Sequence, residues 1–188
     1  LENATGLSVE FHFLDSATSS VVETLTRYLE TLEKDVSVVI KDSDNLVNLD
    51  LRMFLEYENV LAYADLSDFP RVSAPSKSYL EIGSAGVVSN FIEKRVISSL
   101  FSVGVTKFAR ISDVLDASHS LRASQGELYV SDLVRSMMTN GIDFQATRVH
   151  HYEDWGTLDA WLEFVRSYKT LFLDIDGVLA LNSSRLSI

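Results

Sequence analysis

Residues 36–45 read VSVVIKDSDN. The first five are mostly β-branched, the composition of a strand buried on both faces, so the run predicts a strand over 36–42. It ends in a lysine and a cluster of Asp, Ser and Asn. In open α/β sheets, ligands bind beyond the carboxyl ends of strands. Asp42 and Asp44 therefore stand where two carboxylates can hold Mg²⁺, a hard cation that takes oxygen ligands and keeps several waters. The same string also suits a plain turn, because Asp, Ser and Asn bond their own backbone.

Working outward, strand and helix patterns alternate. LSVEFHFL (7–14) alternates apolar and polar residues and predicts a strand. Residues 19–33 place Val21, Val22, Leu25, Leu29 and Leu32 at helical spacing. NVLAYADL (59–66) predicts a strand. KSYLEI (77–82) and VVSNFIEK (87–94) flank GSAG and predict a hairpin. LFSVGVTKFA (100–109) predicts another strand. A helix is expected over 127–139, stopping near Gly141, then a strand over FQATRVHHY (144–152). A helix over 157–168 is expected to turn Leu158, Trp161, Leu162 and Val165 inward, and TLFLDI (170–175) predicts a final strand. The order implies an α/β fold with a mixed, mostly parallel sheet flanked by helices. SDFPRVSAPS (67–76), which holds both prolines, is too embedded to separate domains.

The 188 residues hold 16 Lys+Arg against 27 Asp+Glu, a formal charge of −11. That excess opposes non-specific nucleic-acid binding, which needs a basic face, and a polybasic membrane contact. No apolar run approaches a membrane span. With no cysteine, the chain has no disulfide, thiolate metal site or thiol nucleophile, which fits a reducing cytoplasm.

Two further strings can carry chemistry. In HYEDWGTLDAW (151–161), Asp154 is a strand-end carboxylate, Gly156 lets the chain turn, and Thr157 can cap the following helix. In NFIEKR (90–95), Glu93 can face a sugar hydroxyl and Lys94 a phosphate. An exposed strand edge protected by charges would look the same.

Taken in order, VVETL, VVIKDSDN, KSYLEI…NFIEKR, LFSVGVTKF, GELYVSDLV and YEDWGTLDAW resemble the second half of a sugar nucleotidyltransferase, over about residues 16–168. Such enzymes join an NTP to a sugar 1-phosphate and release pyrophosphate. The resemblance implies a nucleotide-diphospho-sugar transferase-like, Rossmann-like fold. It implies Mg²⁺ held by Asp44 and Asp154, a sugar phosphate held by Glu93 and Lys94, and Gly104 on the strand passing the sugar. Glu127 is then a sugar-hydroxyl partner, and Thr24 lies near the base. The Gly-rich triphosphate loop of that family has no counterpart among the eight scattered glycines. The chain is therefore expected to start within the domain and to be incomplete as a catalyst by itself.

TLFLDIDGVLALNSS (170–184) resembles the first motif of haloacid-dehalogenase-like phosphatases. That likeness implies Asp174 as nucleophile and Mg²⁺ ligand and Asp176 as general acid/base. The expected organisation is a partial nucleotidyltransferase-like domain over 1–168, then the start of a phosphatase-like domain over 169–188. Such fusions resemble enzymes of surface-polysaccharide precursor synthesis. The alternatives are a phosphatase with an accessory domain, or a non-catalytic remnant used for binding or oligomerisation. Exposed apolar sheet edges in a half domain would favour self-association into a homo-oligomer.

Overall fold

The computed structural model describes residues 10–70, 72–121 and 126–167. They fall in two compact units, Leu1–Glu153 and Asp154–Ile188.

The first unit is organised by the strand read as LFSVGVTKF. In chain order its elements are α1 (Val21–Leu29), β1 (Val38–Lys41), β2 (Asn45–Asn48), α2 (Leu51–Glu56), β3 (Val60–Asp65), β4 (Tyr79–Ile82), β5 (Val88–Ile92), β6 (Leu100–Phe108), α3 (Ile111–Leu121), α4 (Val130–Thr139) and β7 (Gln145–Arg148). β8 (His151–Asp154) follows and pairs with β2. The main sheet runs β5-β4-β6-β3-β7, with β1 also paired to β6. Successive side chains of β3 enter opposite cores, as strand geometry requires. Leu61 joins the helical side with Leu80, Phe91, Phe108 and Phe144. Val60, Ala62 and Ala64 join Phe54, Tyr79 and Phe101 on the other. A strand buried on both faces reads as an uninterrupted apolar run, which is why 59–66 was legible.

The α/β class and mixed sheet are as expected, but the parallel share is small. Among the described pairings of the main sheet, only β3 with β7 is parallel. β1–β6, β3–β6, β4–β5 and β4–β6 are antiparallel. A parallel pair needs a long crossover, and β3 to β7 is the connection that contains α3 and α4. The GSAG turn instead folds β4 back on β5.

α1 is held from its hydrophobic side. Ser20 Oγ caps the helix by accepting from Glu23 N at 3.2 Å. The half-exposed Glu23–Arg27 pair at 2.6 Å is screened by solvent and adds little. Fully burying one leucine contributes about 1.5–3 kcal/mol, so Val22 and Leu29, at 2% and 0% exposure, dominate. α4 ends where Gly141 adopts φ +84°, the left-handed stop read from the sequence.

Several expectations change. Residues 10–14 form no strand, and Phe11 and Phe13 are exposed; alternation marks a strand only where a neighbour supplies the ladder. The strand expected over 144–152 is two, β7 and β8, broken at 149–150. Val149 there is buried, and its N–H donates to Tyr63 O at 2.8 Å. β2, α2 and α3 were not anticipated. In the second unit, α5 (Leu158–Ser167) has no buried residue, and Leu158, Trp161, Leu162 and Val165 are exposed. Among the described residues of that unit, no second element lies ready to bury the stripe. Trp161 packs instead on Trp155 and Phe164, with centroids 6.1 and 5.5 Å away. No helix among the described residues is long and apolar enough to cross a membrane.

Candidate functional site

A cavity of about 210 Å³ lies in the first unit, at the carboxyl end of β1. Asp42, Asp44, Glu93 and Gly104 line it, together with Lys77 and Tyr152. Local sequence fixes each wall.

The acidic loop after β1 is clamped by Lys41. Its Nζ donates to Asp42 O at 2.6 Å and to both Asn45 O and Oδ1 at 2.8 Å. Asn45 is buried, so the ammonium replaces the water its polar atoms lose. Asp42 N donates to Gly104 O at 2.9 Å, which continues the β1–β6 ladder into the loop. The turn reading and the ligand reading of this string coincide, because the turn is what holds two carboxylates at the cavity. Desolvation of the Asp42 carboxyl beside Gly104 pushes its pKa up. Repulsion from Asp44 and Glu93 adds to the rise, and Lys41 and Lys77 oppose it.

Gly104 sits at φ +71° in the middle of β6, a left-handed conformation that costs glycine little. Its missing side chain is the space the Asp42 carboxylate occupies.

Glu93 follows β5 directly and is under tight restraint. Its Oε2 accepts from Ser131 Oγ at 2.9 Å and from Ser78 Oγ in a short bond. Ser78 precedes β4 and Ser131 opens α4, so three segments fix one carboxylate. Lys94 adopts φ +52°, and its N–H donates to Lys77 O at 3.1 Å. Its ammonium is not among the cavity-lining groups. It donates to Tyr129 Oη at 2.7 Å and lies 4.2 Å from that ring's centroid. The Tyr129 hydroxyl holds Lys94 charged to higher pH than usual. Tyr129 Oη in turn donates to Glu127 in a short bond, so Glu127 reaches the cavity only through Tyr129.

Thr24 lies on α1 outside the cavity, bonded to Thr18 Oγ1 at 2.5 Å and donating to Ser20 O at 3.2 Å. Asp154 opens the second unit. It accepts from Gly156 N at 3.1 Å, and Thr157 Oγ1 caps α5 by accepting from Ala160 N at 3.2 Å. Its pairing with Asp44 rests on the sequence reading. Asp174 and Asp176 lie outside the described residues. Sequence reasoning missed Ser78, Ser131, Lys77, Tyr129 and Tyr152, which come from three separated segments. The one available signal was the serine beside each marked motif.

Among the described residues, no three Asp, Glu or His side chains gather into a ready metal cluster. The Asp42–Asp44 pair fits the looser pattern of Mg²⁺, in which one or two carboxylates share the ion with water and substrate phosphates.

No family model matches the chain, and no curated protein matches it. Solved structures do. A nucleoside-diphosphate-sugar pyrophosphorylase from Vibrio cholerae RC9 superposes with TM-score 0.68 at 23% identity, over 81% of this chain and 67% of that one. A Bacillus anthracis protein described as a glucose-1-phosphate thymidylyltransferase, in complex with sucrose, gives 0.67 at 18%, over 89% and 69%. A UDP-glucose pyrophosphorylase complexed with UDP-glucose gives 0.64 at 13%, over 81% and 63%. The chain thus spans about two thirds of these proteins and has the fold of the sugar nucleotidyltransferases.

Proposed function

We propose that this chain carries the sugar-phosphate side of a nucleotidyltransferase site. The reaction joins an NTP to a sugar 1-phosphate with Mg²⁺ and yields a nucleotide sugar and pyrophosphate. The carrying observation is the cavity in which Asp42, Asp44, Glu93 and Lys77 meet. The fold shared with nucleotide-sugar pyrophosphorylases supports the same reading.

In this reaction a sugar-phosphate oxygen attacks the α-phosphorus in line, the P–O bond to the β-phosphate breaks, and pyrophosphate takes the electron pair. The attacking oxygen is already ionised, so no strong base is required. The protein's task is positioning and charge. Glu93, fixed through Oε2 by two serine hydroxyls, offers Oε1 as an acceptor for a sugar hydroxyl. Gly104 leaves the β6 backbone bare beside the Asp42 carboxylate. Three carboxylates against one lysine would repel a phosphate, which gives Asp42 and Asp44 their role as holders of Mg²⁺. Bound there, the ion would neutralise phosphate charge.

Calorimetric titration of the chain with sugar 1-phosphates and NTPs, with and without Mg²⁺, tests this. The expected result is Mg²⁺-dependent sugar 1-phosphate binding that falls at least about tenfold in Asp44→Asn, the scale of a lost charged contact. Asp154→Asn in the same titration tests the second carboxylate carried over from the sequence. Absence of sugar-phosphate binding under every condition overturns the proposal.

A further inference from the structure

Among the described residues, three carboxylates and one ammonium line the cavity after β1. Asp42 and Asp44 stand together in the loop and are the pair proposed above to hold Mg²⁺. Glu93, the third carboxylate, stands apart from them on the connection between β5 and β6. It is close enough for its charge to be felt at Asp42. A metal ion on the loop pair therefore leaves one fixed anion in the cavity.

The setting of that anion is specific. Ser131, 3% exposed, and Ser78 both donate to Oε2. Both partners are neutral hydroxyls, so they orient the carboxylate without cancelling its charge. Among the described residues Oε1 takes no hydrogen bond. Ser78 precedes β4 and Ser131 opens α4, so the direction of Oε1 is set by the fold before a ligand arrives. Such preorganisation lowers the ordering cost of binding.

We infer that the sugar taken by this cavity carries a positively charged amine, and that Glu93 Oε1 accepts from it. The inference rests on the sugar-phosphate reading above and names the class of sugar, an amino-sugar 1-phosphate rather than a neutral one. A carboxylate accepts from a hydroxyl or from an ammonium, but the bond between two ions is about twice as strong. Removal from bulk water strengthens the charge pair further. An N-acetylated amine keeps a neutral N–H and loses the charge. A sugar acid would set a second anion against Glu93 and bind worse than either.

The test is calorimetric titration of the full chain in Mg²⁺ buffer just below neutral pH, where a sugar amine is charged. The probes are glucosamine 1-phosphate, glucose 1-phosphate and N-acetylglucosamine 1-phosphate, for wild type, Glu93→Gln and Ser131→Ala. Wild type is expected to bind glucosamine 1-phosphate about fivefold or more tighter than glucose 1-phosphate, the gap between a charged and a neutral hydrogen bond. N-acetylglucosamine 1-phosphate should fall back to the glucose value or below. Glu93→Gln keeps the shape and removes the charge, and should bring the amine and hydroxyl sugars within about twofold of each other. Ser131→Ala keeps the charge and loosens its direction, and should narrow the preference; it carries the test with the wild-type series if Glu93→Gln melts early. Equal binding of glucose and glucosamine 1-phosphates by wild type overturns the assignment and leaves the function standing. A preference for the amine that survives Glu93→Gln also overturns it, since the acidity of the whole chain would then be its source. No sugar 1-phosphate bound by wild type removes both the assignment and the function beneath it.

Discussion

A Cβ on Gly104 would lie 2.0 Å from Oδ2 of Asp42. Strand β6 and the acidic loop after β1 therefore share one volume, and glycine is the residue that lets the carboxylate in. At φ +71°, Gly104→Ala adds left-handed strain of about 1–3 kcal/mol and displaces Asp42. The expected variant is less stable by about 2 kcal/mol in urea denaturation and has lost the proposed Mg²⁺-dependent ligand binding. Wild-type stability would mean that the loop yields, and that Asp42 is not held where it stands.

Glu93 should depend on its two serines. Removing either hydroxyl withdraws a donor from one carboxylate oxygen. Each hydrogen bond to a charged group contributes about 1.5–3 kcal/mol, spent here on orientation. Ser78→Ala and Ser131→Ala are each expected to weaken sugar 1-phosphate binding several-fold with little change in melting. In a double-mutant cycle with Glu93→Gln the losses should be strongly non-additive, because all three act through one group. Additive losses would place the serines elsewhere in recognition.

Acid should loosen the start of α1. Glu23 is lowered from 4.5 to about 2. The Ser19 hydroxyl, bonded at 2.6 Å, is the largest cause, followed by the Ser19 N–H at 2.7 Å and by Arg27. A carboxylate whose folded pKa lies below its unfolded value stabilises fully above the unfolded value, and that contribution fades as pH falls toward the folded one. The window is thus about pH 4.5 down to about 2. Asp35 adds to the acid sensitivity, held below the usual range by the Ser112 N–H and hydroxyl at the start of α3. Carboxyl NMR titration should find Glu23 far below ordinary glutamates, and Ser19→Ala should return it upward. An ordinary Glu23 in wild type would dissolve this account.

Legibility followed sequence distance. The GSAG hairpin, the two-faced run at 59–66 and the stop at Gly141 are local patterns, and each appears where it was read. The acidic loop was legible as chemistry because Asp42 and Asp44 follow a strand within two and four residues of Ile40. α3 was not, because ISDVLDASHSL mixes Ser, Asp and His into its apolar spacing, and its first turn is capped by Asp35 from another segment. The expected role of Lys94 came from its adjacency to Glu93. Its bond to Tyr129, 35 residues away, had no local signal. Lys77 drew no attention because its partner Tyr152 is 75 residues distant, a pairing that only the folded sheet creates.

Lys107 offers a test of the opposite end of β6. It is 8% exposed, yet it is charged and lies mid-sheet, opposite Val39 and Val60. Its Nζ donates to Leu55 O at 2.9 Å and to Tyr57 O in a short bond. Those carbonyls end α2, where a helix leaves acceptors without intrahelical donors. α2 is only six residues long, too short to persist without tertiary support. Lys107→Met keeps most of the aliphatic volume and removes the donor, leaving two carbonyls to find water. The expected cost is about 1–3 kcal/mol, seen in urea denaturation, with amide exchange accelerated first in α2. The proposed phosphate affinity should hold, since Lys107 does not line that cavity. Unchanged stability would mean that the two carbonyls already reach solvent and that α2 is held by Phe54 alone.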